Sequence, residues 1–108
     1  MPKTEYLQGA LDLLILKTLA LEPNHGWGIQ QRIRHVSREA FSISQGSLYP
    51  ALHRLEAAGI LASEMMASEN NRRARVYRLT AAGRRRLEAE TADWQQFSLA
   101  VRRLLQLT

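Results

Sequence analysis

The side chains best suited to chemistry lie between Ser44 and Thr80, SQGSLYPALHRLEAAGILASEMMASENNRRARVYRLT. In the first part of this segment Leu48, Leu52 and Leu55 recur at i, i+4 and i+7, the inward stripe of a helix. That leaves Gln45, Ser47, Tyr49, Pro50, His53 and Arg54 around its remaining surface. The second part is loaded with arginine. No acid falls between Glu69 and Glu88, yet Arg72, Arg73, Arg75, Arg78, Arg84, Arg85 and Arg86 all do. A charge run taken alone reads as a solvated face. Spread over a turn, a strand and the start of a helix, elements that fold close together, it reads as a patch for nucleic acid. Lys3 and Lys17 are the only lysines, and arginine's planar donor fork suits phosphate and guanine edges better than an ammonium does. A short helix for a groove, followed by a basic hairpin for the flanking backbone, is the arrangement of a winged helix-turn-helix domain.

The elements that must hold these side chains follow from periodicity. A first helix is expected from about Leu7 to Leu21, with Leu11, Leu14, Ile15, Thr18 and Leu19 on one stripe. Leu13, Leu16 and Ala20 make its other side apolar too, so a second cover is expected, and in so small a domain that cover is another subunit. Pro23 ends the helix, because the residue before a proline is pushed out of the α region. Asn24 is the expected cap of a second helix running to about Ser37, with Ile29, Ile33 and Val36 buried. Trp27 reads as a core or edge aromatic, and His25 as a capping or surface residue. Phe41-Ser42-Ile43 reads as extended.

Ser44 or Ser47 caps the third helix; since proline is tolerated only in a first turn, Pro50 places the regular helix from about Ser47. Gly59 is its left-handed stop. Strands are expected over Ile60 to Met66 and Arg75 to Thr80, with Leu61, Met65, Tyr77 and Leu79 inward. The wing between them carries the turn formers Ser68, Asn70 and Asn71. Thr80 caps a last helix from Ala81 to about Gln106. Along it Leu87, Trp94 and Val101 recur every seven residues, with Phe97 and Leu104 three beyond the last two. Glu90 interrupts this seam. The fold class is thus mainly α with a small β-hairpin: a winged helix-turn-helix over residues 1–80 and a C-terminal dimerisation helix over 81–108, as one compact unit.

Composition agrees. The chain has 108 residues, 45% of them hydrophobic and 6% aromatic, and a net charge of +5. That suits one domain with one modest core. Without cysteine there is no disulfide, thiolate metal site or cysteine nucleophile, which fits a reducing compartment. The N-terminal sequence MPKTEYLQGALD lacks the order of a signal peptide, and the apolar run Leu13 to Leu16 is far short of the roughly 20 residues a membrane helix needs. A soluble cytoplasmic protein is expected. His25, His35 and His53 share no metal-ligand spacing with a carboxylate, Gly26 and Gly28 alone make no phosphate loop, and Ser42, Ser44 and Ser47 lack a histidine-and-acid pattern. No enzyme, metal or cofactor is expected.

The chain resembles the PadR-like transcriptional regulators, in the short branch with a single C-terminal helix. The resemblance rests on LDLLILKTLAL (Leu11 to Leu21), His25-Gly26-Trp27-Gly28-Ile29, QGSLYPALHRLE (Gln45 to Glu56) with Gly59, and RRARVYRLTAAG (Arg72 to Gly83). It spans about Leu7 to Leu105. Trp27 departs from the tyrosine usual there. The resemblance implies a homodimeric winged-helix repressor on a pseudo-palindromic operator, released in many members by a small aromatic or amphiphilic effector. By position it places Ser47, Tyr49 and Pro50 at the start of the recognition helix, and Arg73, Arg75 and Tyr77 in the wing.

The residues themselves add Gln45, His53 and Arg54 as groove-facing candidates and Arg72 as a phosphate contact. His53 equally fits a neutral surface position, and Tyr49 fits the core edge. Leu11, Leu14, Trp94, Phe97, Val101 and Leu104 are the candidate dimer contacts. Trp94 either fills that interface or offers a flat surface to an aromatic effector. The competing function is a winged-helix module that binds another protein and uses its charge only for solubility. The arginine-rich wing beside a polar helix favours DNA, since a protein-binding surface would show an exposed apolar patch.

Overall fold

The computed structural model describes residues 4–67 and 72–107, with side chains from Gly9 onward. The turn formers Ser68, Asn70 and Asn71 lie outside the described residues. In chain order the elements are α1 (Thr4–Leu21), β1 (Asn24–His25), α2 (Gly26–Val36), α3 (Gln45–Ala57), β2 (Leu61–Ala67), β3 (Arg73–Leu79) and α4 (Ala81–Leu105). The three strands form one antiparallel sheet in the order β1-β3-β2.

Two helix starts differ from expectation. Asn24 does not cap α2: it pairs with Tyr77 as the first residue of β1, and His25 pairs with Val76. His25 is the cap, its Nδ1 accepting from the Gly28 N–H at 3.1 Å. In α3 the Ser44 hydroxyl accepts from the Ser47 N–H at 3.2 Å, so the helix begins at Gln45 and Pro50 falls inside it rather than in its first turn. The proline is tolerated there because its missing N–H orphans only the carbonyl of Gly46, an exposed residue one turn earlier.

α3 stops as a Schellman turn. Gly59 sits at φ +78, its N–H donates to Glu56 O at 3.0 Å, and the Ile60 N–H donates to Leu55 O at 3.0 Å. Thr80 then locks α4 onto this turn. Its hydroxyl donates to Gly59 O at 2.7 Å and accepts from the Gly83 N–H at 3.0 Å. Gly83 is buried against Ile60, and a Cβ there would collide with the Ile60 carbonyl oxygen.

The core lies between α1, α2, α3 and the inner face of the hairpin. Ile15, Leu16, Ile29, Leu48, Leu52 and Leu55 are fully buried, joined by Leu61, Tyr77 and Leu79. Each such aliphatic side chain contributes about 1.5–3 kcal/mol relative to exposure. Val36 and Met65 were expected inside and are not, at 67% and 42% exposure. Val36 ends α2, where the chain leaves the core; Met65 pairs with Arg75 on the part of the hairpin that outruns it. α4 spans about 37 Å at 1.5 Å per residue, and beyond Gly83 it buries no residue fully. The molecule measures 59 × 28 × 22 Å.

Candidate nucleic-acid interface

The first turns of α3 present a polar surface. Gln45, Ser47, Pro50 and His53 are all exposed. The Ser47 hydroxyl also accepts from the Ser44 hydroxyl at 3.2 Å, which ties it to the cap. Tyr49 is half-buried and packs on the core, its ring so close to Gly26 that a Cβ there would lie 2.6 Å from the phenol oxygen. The tyrosine therefore closes the core edge beside α2.

The hairpin register decides where the arginines go. Leu61 pairs with Leu79, Ser63 with Tyr77, Met65 with Arg75 and Ala67 with Arg73. Side chains alternate along a strand, so Arg73 and Arg75 share the face of Tyr77 and Leu79, the face that packs on the helices. Past the end of the core this face is basic. Arg75 Nη1 donates to Ser63 Oγ at 3.0 Å, and that hydroxyl donates to Glu56 Oε2 at 2.6 Å. The wing arginine is thus tied through β2 to the last turns of α3. Arg72 and Arg73 are exposed, as are Arg84 and Arg85 at the start of α4.

Three expectations are corrected. Tyr77, placed in the wing as a contact, is 2% exposed and belongs to the core; burial pushes its phenol above the usual range, and the nearby Glu56 charge adds to this. Arg54, a groove candidate, is engaged within the chain. It clamps Asp12 with both guanidinium ends, Nη1 to Oδ2 at 2.9 Å and Nη2 to Oδ1 at 2.8 Å. These bonds hold its pKa above the normal arginine value. Leu11, a candidate dimer contact, is 6% exposed in the chain's own core. It faces inward, and its neighbour Leu13 lies on the side toward α4.

Asp12 was visible in the sequence only as the border of an apolar run. A carboxylate among Leu11, Ile15 and Leu16 signals a buried charge that needs partners. Besides Arg54 it meets Arg86 Nη2 at 3.7 Å, and Arg86 Nε donates to Glu90 Oε1 at 2.9 Å. The Glu90 that interrupts the seam is accordingly part of an ion network joining α1, α3 and α4.

Along α4, Trp94 and Phe97 are about half exposed, their rings 5.9 Å apart and tilted by 34°. Together with Gly9, Ala10 and Leu13 of α1, and with Glu90 and Asp93, they line a hollow of about 480 Å³. A second hollow of about 340 Å³ continues down the same face past Ser98, Val101 and Leu105. Leu104 is 68% exposed, and Leu14 is partly buried against the core. Ser98 and Leu105 belong to this face and fall outside the heptad positions. Trp27 is exposed, stacked on His25 at 6.4 Å. Among the described residues no cluster of three histidine, cysteine or carboxylate side chains could hold a metal, and no helix is long and apolar enough to cross a membrane.

Comparison with known proteins gives one answer. The model of the transcriptional regulator PadR-like family matches residues 15–89. Transcriptional regulator Rv3488 of Mycobacterium tuberculosis is 43% identical over 97 residues, which cover 90% of this chain and 87% of that protein. A PadR-like transcriptional regulator from Bacillus cereus superposes with a TM-score of 0.84 at 26% identity, over 97% of this chain and all (100%) of that one. A transcriptional regulator from Clostridium thermocellum shares the fold, with a TM-score of 0.86 at 24% identity over 98% of this chain and 100% of that one.

Proposed function

Because the chain belongs to the transcriptional regulator PadR-like family, we propose that it is a homodimeric repressor of transcription that binds a pseudo-palindromic operator. α3 enters the major groove by its first turns, with Gln45, Ser47 and His53 toward base edges and Pro50 fixing the backbone between them. Arg72, Arg73 and Arg75 hold the flanking phosphates or the minor groove. One observation carries this reading: the register puts Arg73 and Arg75 on the helix-facing side of the hairpin, so the cations and the polar surface of α3 serve one ligand. Acting on DNA, the protein works in the cytoplasm.

The dimer is supported by α4. Trp94, Phe97, Val101, Leu104 and Leu105 form an apolar face on a helix that outruns the domain, and Leu13 extends it onto α1. Two copies related by a two-fold axis cover it. The hollow beside Trp94 has the volume of a small-molecule site and an aromatic wall, and it takes an aromatic effector that releases the operator.

Selection of bound duplexes from a random pool tests the function. Two inverted half-sites about one helical turn apart are expected. Recovery of no common sequence, at any salt concentration that still permits binding, would leave the fold as a protein-interaction module.

A further inference from the structure

We propose that Met65 is a site of reversible oxidation by peroxide, and that its sulfoxide takes Arg75 away from DNA. The proposal rests on the reading above that the wing arginines hold a duplex. The chain has no cysteine and three methionines, Met1, Met65 and Met66, so the thioether is the side-chain group it offers for reversible two-electron oxidation. Met1 lies outside the described residues. Met65 and Met66 are open to solvent to nearly the same extent, 42% and 46%, but alternation along β2 puts them on opposite faces of the hairpin. Met66 pairs with Ala74 and lines a hollow on the outer face with Val76 and His25. Met65 pairs with Arg75, on the helix-facing side that also carries Ser63, Arg73 and Tyr77. One methionine therefore adjoins the proposed DNA surface, and its neighbour in sequence serves as an internal control.

With hydrogen peroxide, a sulfur lone pair attacks one peroxide oxygen, and the S–O bond forms as the O–O bond breaks. The hydroxide released takes the proton of the new S–OH group and leaves as water. Sulfur is oxidised by two electrons and the peroxide is reduced. A thioether accepts hydrogen bonds only weakly, whereas the sulfoxide oxygen is a strong acceptor at the same place. Directly opposed residues of an antiparallel pair have Cβ atoms about 4.5–5.5 Å apart, well within the reach of a methionine and an arginine. Arg75 uses Nη1 on Ser63 Oγ at 3.0 Å, and that hydroxyl donates to Glu56. The rest of the guanidinium fork is left for a further acceptor. This is a DNA phosphate when Met65 is reduced and the sulfoxide oxygen when it is oxidised. Oxidation so withdraws one cation from the duplex without changing the net charge of the protein.

The capture of Arg75 is read without DNA. The full chain, labelled with nitrogen-15 arginine, is treated with hydrogen peroxide until peptide mass spectrometry shows sulfoxide at Met65 and Met66. The Arg75 Nε–H resonance, identified by its loss in Arg75→Ala, should move on oxidation in the wild type and in Met66→Leu. In Met65→Leu, which has no sulfur at that position, it should stay in place. A resonance that does not move in the oxidised wild type overturns the capture, whatever the protein does with DNA.

The consequence is read on the selected operator. Oxidation should weaken binding by the wild type and by Met66→Leu roughly tenfold, the weight of one charge-assisted contact. It should also lower the slope of log affinity against log salt by about one unit. Treatment with sulfoxide reductases for both epimers should restore the affinity. Oxidised Met65→Leu should stay within about twofold of its untreated form, and so should oxidised Arg75→Ala, because the two residues act through one contact. A loss in Met65→Leu equal to that of the wild type overturns the role of Met65, and a full further loss in Arg75→Ala overturns the route through Arg75. An untreated wild type that binds no duplex overturns the DNA reading and the regulatory role with it, while the arginine resonance alone decides the capture.

Discussion

The guanidinium of Arg54 closes two hydrogen bonds, at 2.8 and 2.9 Å, on the buried carboxylate of Asp12, forty-two residues earlier in the chain. This pair joins α3 to α1, and its two halves are not equivalent. Arg54 is 51% exposed at its side chain, Asp12 only 8%. Removing Arg54 leaves a buried charge with one distant partner, whereas neutralising Asp12 leaves an arginine that water can reach. Arg54→Ala should therefore destabilise by roughly 2–3 kcal/mol, toward the low end for a broken buried pair because Arg86 and solvent screen it, and Asp12→Asn by about 1 kcal/mol. Urea unfolding of both variants checks the ranking; a reversed order would mean that the carboxylate is not the buried partner.

Gly83 offers a test of the joint between wing and α4. Alanine is the better helix former by about 1 kcal/mol, so propensity alone predicts a more stable protein. The Ile60 carbonyl occupies the place of the new methyl group. Gly83→Ala should instead lower stability by about 1–3 kcal/mol, as overpacking does. A rise in the melting temperature would show that α4 can slide away from the hairpin freely.

The exposed face of α4 predicts assembly. Val101→Glu combined with Leu104→Glu should convert a dimer into monomer or insoluble protein, measured by sedimentation velocity. A wild type that sediments as a monomer at micromolar concentration would contradict the two-fold interface.

Much of the framework was legible because it depends on local rules. The i, i+4, i+7 stripe of α3, the left-handed Gly59, the Thr80 cap and the proline stop after α1 each follow from a few adjacent residues. The misplaced features depend on partners distant in sequence. Asn24 offers a good cap, but pairing with Tyr77 across the sheet drew it into β1 and passed the cap to His25. Pro50 set a first-turn limit that Ser44 overrode, since only one exposed carbonyl was left unpaired. Arg54 carries the side chain of a DNA surface, and only the placement of Asp12, forty-two residues away, engages it within the chain; Tyr77 follows the inward stripe of its strand rather than the wing position that the resemblance implied. Residue type alone gave no sign of Glu56 and Ser63, which steady Arg75; their link needs the end of α3 and the start of β2 side by side.

That the first turns of α3 and the helix-facing arginines of β3 grip one duplex is tested most directly by titrating cognate and scrambled operators across a salt series with Arg73→Ala, Arg75→Ala and Gln45→Ala. Each arginine variant should weaken both duplexes alike and reduce the slope of log affinity against log salt by about one unit. Gln45→Ala should cost roughly 1–3 kcal/mol on the cognate duplex, little on the scrambled one, and leave the slope unchanged. Arginine variants that bind like wild type at every salt concentration, with a Gln45 variant that weakens both duplexes equally, would contradict it.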